Sequence, residues 1–215
     1  MMNRSRGLAA VAVMALVSSG CLLKDTISTW YLDQDGRVTW SVIEKDVRSD
    51  ATSGVESQNE EFAYITAVRA QNHPMARGLN ELAPLELKTQ IVHATAPFTV
   101  NTEARYERID RLGTMLIARL GLVGSSLVTR DLEGTTWTFT VQDPNVATSA
   151  PEPDDDLSGL ADTMEALKVV LRDGRFVSAE GFDLSRDRRV ATIRDNEDQV
   201  RANGTLTLTL KWKLP

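Results

Sequence analysis

One cysteine, Cys21, and two histidines, His73 and His93, occur in 215 residues. A single cysteine forms no intramolecular disulfide and no paired-cysteine zinc motif, and the two histidines do not fall in H-E-x-x-H. Serine nucleophile signatures are also missing. No serine lies in G-x-S-x-G, and none has a lysine three residues later. Gly-rich phosphate loops are absent, which removes the nucleotide-binding classes that depend on them. Basic charge is in deficit, with 24 Lys and Arg against 30 Asp and Glu and a net charge of −6. That balance argues against nucleic acid and against anionic lipid as a main partner. Aromatic residues are sparse at 6%. The one long apolar run, residues 8–17, falls short of the ~20 residues that span a membrane.

What is present begins with an export signal. Arg4 and Arg6 precede the apolar run, and Ser18, Ser19 and Gly20 follow it, directly before Cys21. A positive start, a core of about 7 to 15 apolar residues and a small-residue end are the three parts of a secretory signal. Residues 1–20 are therefore expected to be removed. The placement of Cys21 resembles the lipobox of bacterial lipoproteins. That resemblance implies a diacylated thiol and a cut that makes the cysteine the first residue. The position three before the cysteine is Ser18, where the family usually has Leu. Ordinary signal peptidase would also accept Ser18 and Gly20, leaving a soluble periplasmic protein with a free thiol. An unpaired thiol is a liability in an oxidising compartment, which favours lipidation. Two acyl chains make a stable anchor where one is marginal. Leu22 follows the cysteine instead of the aspartate that retains many lipoproteins at the inner membrane. By that family rule the address is the outer membrane, facing the periplasm.

Cleavage takes two of the 24 basic residues and none of the 30 acidic ones, so the mature chain carries −8. An apolar content of 42% is enough for a core. Residues 21–215 are expected to form one compact domain. Within it a linker at 143–156, with three prolines and an acidic end, leaves open a division into two subdomains at 22–142 and 157–215.

Periodicity predicts hairpins interleaved with helices. Segments 26–33 and 37–47 flank Gln34-Asp35-Gly36, a three-residue hairpin loop with glycine at the left-handed position. This register sets Trp30 opposite Trp40 and Leu32 opposite Val38. Helices are predicted at 54–71, 75–82, 109–120 and 157–167. The first has a Ser53/Glu56 capping box and an apolar stripe of Val55, Phe62, Ile65 and Val68. Strands are predicted at 85–94, 98–106, 125–131, 135–141, 168–172, 175–179, 188–194 and 205–212. In the last, Leu206, Leu208, Leu210 and Trp212 alternate with polar residues that face water. The expected class is α+β, with antiparallel hairpins forming one or two sheets packed with three to four helices. Asp-Gly-Arg recurs in the turns at 35–37 and 173–175, which reads as convergence on a good turn.

No cofactor and no metal is expected. Asp33-Gln34-Asp35-Gly36 fails as a calcium loop, since alignment on its glycine puts Tyr31 and Val42 where carboxylates belong. The acidic run that starts at Asp195 and Asn196 reads as a solvated loop. His73 and His93 read as solvated or locally bonded. Glu44 with Asp46, and Glu60 with Glu61, are carboxylate pairs that read first as wet surface. Trp30, Trp40, Trp137 and Trp212 all fall on predicted strand faces, where they build a closed core or line an apolar pocket for an amphiphile. The sequence thus implies a non-catalytic envelope module that binds an unknown envelope protein, with an amphiphile carrier second and a carboxylate hydrolase third.

Overall fold

The computed structural model describes residues 22–142, 163–164, 166–196 and 204–213. The export signal expected at 1–20, Cys21, the linker expected at 143–156 and most of the helix expected at 157–167 lie outside the described residues.

The described chain is mostly β, with 51% of it in strands, and the α+β expectation is corrected accordingly. β1 (Leu22–Leu32), β2 (Val38–Ser49), β3 (Glu86–His93), β4 (Phe98–Tyr106), β7 (Lys168–Leu171), β9 (Phe182–Leu184) and β10 (Val190–Ile193) form a seven-stranded sheet ordered β3-β4-β2-β1-β7-β10-β9. β5 (Gly124–Asp131), β6 (Gly134–Gln142), β8 (Arg175–Glu180) and β11 (Thr205–Lys213) form a four-stranded sheet ordered β5-β6-β11-β8. The helices α1 (Gly54–Arg69), α2 (Pro74–Glu81) and α3 (Ile109–Arg119) sit against these sheets. The physical reason for the correction lies in the core. Its tryptophans and phenylalanines come from strands, so sheet packs on sheet, and short helices cover only what the sheets leave open.

The first hairpin has the expected register. Trp30 pairs with Trp40 and Leu32 with Val38. The Asp33 amide donates to the Arg37 carbonyl at 2.9 Å, and Gly36 takes φ +88° in the loop. Trp30 meets Trp40 edge-on at 5.4 Å and meets Trp137 of the smaller sheet at 5.8 Å. The same hydrophobic cluster includes Leu171, Phe176 and Leu210, so it draws on both sides of residues 143–156.

Other expectations need correction. In α1 the buried residues are Tyr64, Ile65 and Val68, while Val55 and Phe62 face outward at 72% and 71% exposure. The Ser53 side chain makes no cap hydrogen bond, so the capping box does not form. Segments 168–172 and 175–179 do not pair with each other. β7 joins β1 in parallel, and β8 crosses to the other sheet beside β11. A good turn sequence sets the local reversal but not which sheet receives the next strand. In β11 the leucines and Trp212 point inward as expected, yet Thr207 and Thr209 are half-buried. β11 is flanked by β6 and β8 on either side, which narrows access to its outer face.

Gly113 explains how α3 approaches β5. A Cβ at this position would lie 2.3 Å from Ser126 Oγ, the oxygen that accepts the Trp137 indole hydrogen bond at 2.9 Å. Gly113→Ala is expected to destabilise by about 1–3 kcal/mol through overpacking. That loss exceeds the ~1 kcal/mol that alanine gains in helix propensity. Chemical denaturation of the two proteins measures the difference, and an equal or higher midpoint for Gly113→Ala contradicts the close-packing account.

Candidate functional site

The β1–β2 turn, the start of α3 and one end of the smaller sheet enclose a cleft. The Ile109 amide donates to the Gly36 carbonyl at 3.0 Å, which pins the helix start to the hairpin turn. Around that junction Asp35, Arg108, Asp110, Arg130, Thr135 and Trp212 line a cavity of ≈ 390 Å³. Ligand pockets typically run from ~300 to 1,000 Å³, so this one has room for a small molecule or a protruding group. A second hollow of ≈ 70 Å³, between Leu82 and Met115, is too small for that.

The cleft's charges are unevenly committed. Arg108 grips Asp110 with two hydrogen bonds of 2.9 and 2.7 Å, the fork geometry that neutralises a carboxylate. Arg37 stands 3.2 Å from Asp35. Arg130, by contrast, makes one 3.5 Å contact to the Asp35 carbonyl, which leaves most of its five donors open. Trp212 is buried with its indole Nε1 enclosed by the protein, so its ring borders the cleft as an apolar wall and offers it no donor. Thr135 adds a hydroxyl. The carboxylates are occupied and the unoccupied groups are mainly donors, so the cleft suits a ligand group rich in acceptors.

A separate polar cluster lies inside the fold near the other end of β2. Glu44 is only 1% exposed. Lys24 donates to it at 2.5 Å and the Tyr64 hydroxyl at 3.1 Å, while His73 Nε2 stands 3.5 Å away. The same nitrogen lies 3.1 Å from Thr102 Oγ1, and Nδ1 has no partner among the described residues. A proton on Nε2 is therefore the arrangement that serves both neighbours. Burial alone raises the Glu44 pKa and is the largest single influence. The hydrogen bonds from His73 and Lys24, with the Lys24 charge, outweigh it and hold the carboxyl at about 2. Burial, reinforced by Glu44, pushes the Tyr64 phenol well above its ordinary range. Its contacts run from Tyr64 of α1 and His73 at the start of α2 to Lys24, Glu44 and Thr102 on β1, β2 and β4, so the cluster ties both helices to the sheet.

The sequence-predicted residues fall as follows. Trp30, Trp40 and Trp137 fill the interior, and Trp212 alone borders the larger cleft. His73 occupies the N-cap position of α2 with its buried side chain bonded across the fold to Thr102 and not to the helix, where a solvated or local role was expected. His93 is exposed and bonds locally to Thr95. Glu44 is buried where a wet surface was expected, and it parts from Asp46. A β-bulge at 45–46 puts Asp46 outside at φ +52°, so that Glu44 and Val47 both face inward. Glu60 and Glu61 both engage Ser49. The signal for Glu44 was present, since it continues the Trp40–Val42 face by the two-residue period. Arg108 and Arg130 carried no such signal, because their convergence depends on which strands meet α3. Among the described residues no group of three or more His, Cys, Asp or Glu is placed to hold a metal. No described helix is long and apolar enough to cross a membrane.

No protein-family model and no curated protein sequence matches the chain. It is similar to the folded domain of the LppM protein of Mycobacterium tuberculosis, known from an NMR structure. The identity is 9%, over 89% of this chain and 90% of that one, with a TM-score of 0.37. A likeness that distant implies neither shared family nor shared function.

Proposed function

We propose that the protein is a lipid-anchored envelope module that binds an anionic group in the Arg130 cleft. The observation that carries the binding half is the set of uncommitted donors at Arg130 and Thr135, beside carboxylates already neutralised by arginine. Arg forks suit carboxylates and phosphates, and the shared chemistry of the ligand is a compact oxyanion. The anchor half rests on the sequence, where Cys21 closes a secretory signal and Leu22 points to the outer membrane. The two halves are compatible in space. β1 begins one residue after Cys21 and ends at the turn that borders the cleft, a run of about 33 Å at ~3.3 Å per residue. A ligand site at the far end of β1 serves the aqueous side better than it serves lipid transfer.

Calorimetric titration of the purified protein with inorganic phosphate and with citrate tests the binding half. Binding of either is expected, with at least a tenfold loss in Arg130→Ala, since a charge-assisted hydrogen bond contributes about 1.5–3 kcal/mol. No heat with either anion, and no small anion retained in native mass spectra, overturns it. For the anchor, Cys21→Ser is expected to leave an uncut precursor and to shift the protein out of the membrane fraction. Normal processing and unchanged membrane association of that variant overturn the anchor.

A further inference from the structure

α1 turns two large apolar side chains outward, and its place in the fold says what they meet. Val55, Phe62 and Arg69 recur every seven residues, so they drift only ~20° per step and form one outward line. Val55 and Phe62 stand 72% and 71% exposed, and Arg69 is exposed at the end of the same line. The neighbouring carboxylates are turned elsewhere. Glu61 accepts from the Ser49 amide at 3.4 Å, and Glu60 accepts from the Ser49 hydroxyl.

Ser49 locates this helix on the molecule. It is the partner of Leu22, the first residue of β1 and the residue bonded to Cys21. Leu22 itself packs against the cluster that holds Tyr64, Ile65 and Val68 of α1. Leu23, the next residue, is 47% exposed. A diacylated Cys21 would thus be bonded directly to the first residue of β1, with no intervening residue. Acyl chains inserted in a bilayer then draw this end of the sheet, and α1 with it, to the membrane surface.

We infer that the outward face of α1 is the membrane-facing surface of the anchored protein. Phe62 and Val55 enter the acyl boundary, and Arg69 reaches the headgroup phosphates from the same line. Apolar insertion drives the contact, as for helices that lie in the interface plane. The single arginine positions it, as a snorkelling side chain does. The inference deepens the anchor reading and rests on it. The cleft at the opposite end of β1 then faces away from the bilayer.

The experiment uses full-length lipidated protein reconstituted in phosphatidylcholine vesicles. An acylated Cys21 is blocked, so Phe62→Cys or Leu132→Cys supplies the one thiol that takes a spin label. Leu132, fully exposed in the β5–β6 turn, is the aqueous control. The label at 62 is expected to lose collisions with a water-soluble nickel chelate and gain them with oxygen, relative to the label at 132. A label at 62 as open to the chelate as the one at 132, with Cys21 shown acylated by mass, overturns the inference and leaves the anchor standing. Shielding from both reagents means that a protein covers α1, which also overturns it. A Cys21 that itself takes label in the unsubstituted protein overturns the anchor and this inference together.

Discussion

A chain ended at Gly204 is expected to show no cooperative thermal unfolding and to be degraded in the cell that expresses it. The removed strand, β11, is an interior strand of the smaller sheet, hydrogen-bonded to β6 on one side and β8 on the other. Leu208, Leu210 and Trp212 are buried in the main core. A fully buried leucine contributes roughly 1.5–3 kcal/mol, and the tryptophan buries more area than either leucine. Their sum is comparable to the ~5–15 kcal/mol net stability of a typical domain. Truncation also strips the ladder partners of two further strands. Leu210→Asp is the matched point change, because it places an unpaired carboxylate in the core without shortening the chain. Lys213→Ala, at the exposed end of the strand, is the control and should melt within a degree or two of the parent. Circular dichroism melts of the three proteins decide the matter, and a normal melt for the truncated chain contradicts the shared core.

The second large effect concerns Glu44 and acid. A carboxyl held at about 2 in the folded state, against 4.5 as the ordinary value, favours folding by roughly 3 kcal/mol at neutral pH. The sign follows from the direction of the shift. Because the folded pKa is depressed, the stabilisation is fully present above 4.5 and is lost as pH falls towards 2. More than half of it is gone at pH 3. Glu44→Ala leaves Lys24, Tyr64 and His73 facing a void and is expected to cost about 3–5 kcal/mol at pH 7. For a chain of this size that is a fall in Tm of about 10 °C. Glu44→Gln keeps the hydrogen-bonding shape and removes the titration, so its Tm should vary less between pH 6 and pH 3 than the parent's. Parallel slopes for the two proteins between those pH values would show that Glu44 carries no such linkage. Asp131 and Asp187, whose pKa values are also lowered, lie at the surface, where solvent screens the effect.

Local chemistry was legible wherever neighbours in sequence are neighbours in space. The Gln34-Asp35-Gly36 loop and the apolar face shared by Trp30, Leu32, Val38, Trp40 and Val42 set the Trp30–Trp40 pairing, because a register slip would move that face out of the core. The inward face of β11 and the Ile109–Leu112–Leu116 stripe of α3 follow from periodicity in the same way. α1 misled because its apolar residues are spread around the helix. Propensity alone cannot say which side a sheet will cover, and here the sheet chose Tyr64, Ile65 and Val68. The β-bulge at 45–46 likewise breaks the alternation that had paired Glu44 with Asp46.

By itself, then, the sequence determined the first hairpin and the strand faces that bury tryptophan. Only the tertiary structure decided that sheet packs on sheet, that β7 lies parallel to β1, and that Arg108, Arg130 and Trp212 meet at one cleft. The reason is physical. Turns and periodicity are short-range, set by backbone sterics and by which side of one element is apolar. Pairing between β1 and β7, and the choice of sheet for β8, depend on how whole faces compete for one another after those elements form, and no local stretch of sequence encodes the result of that competition.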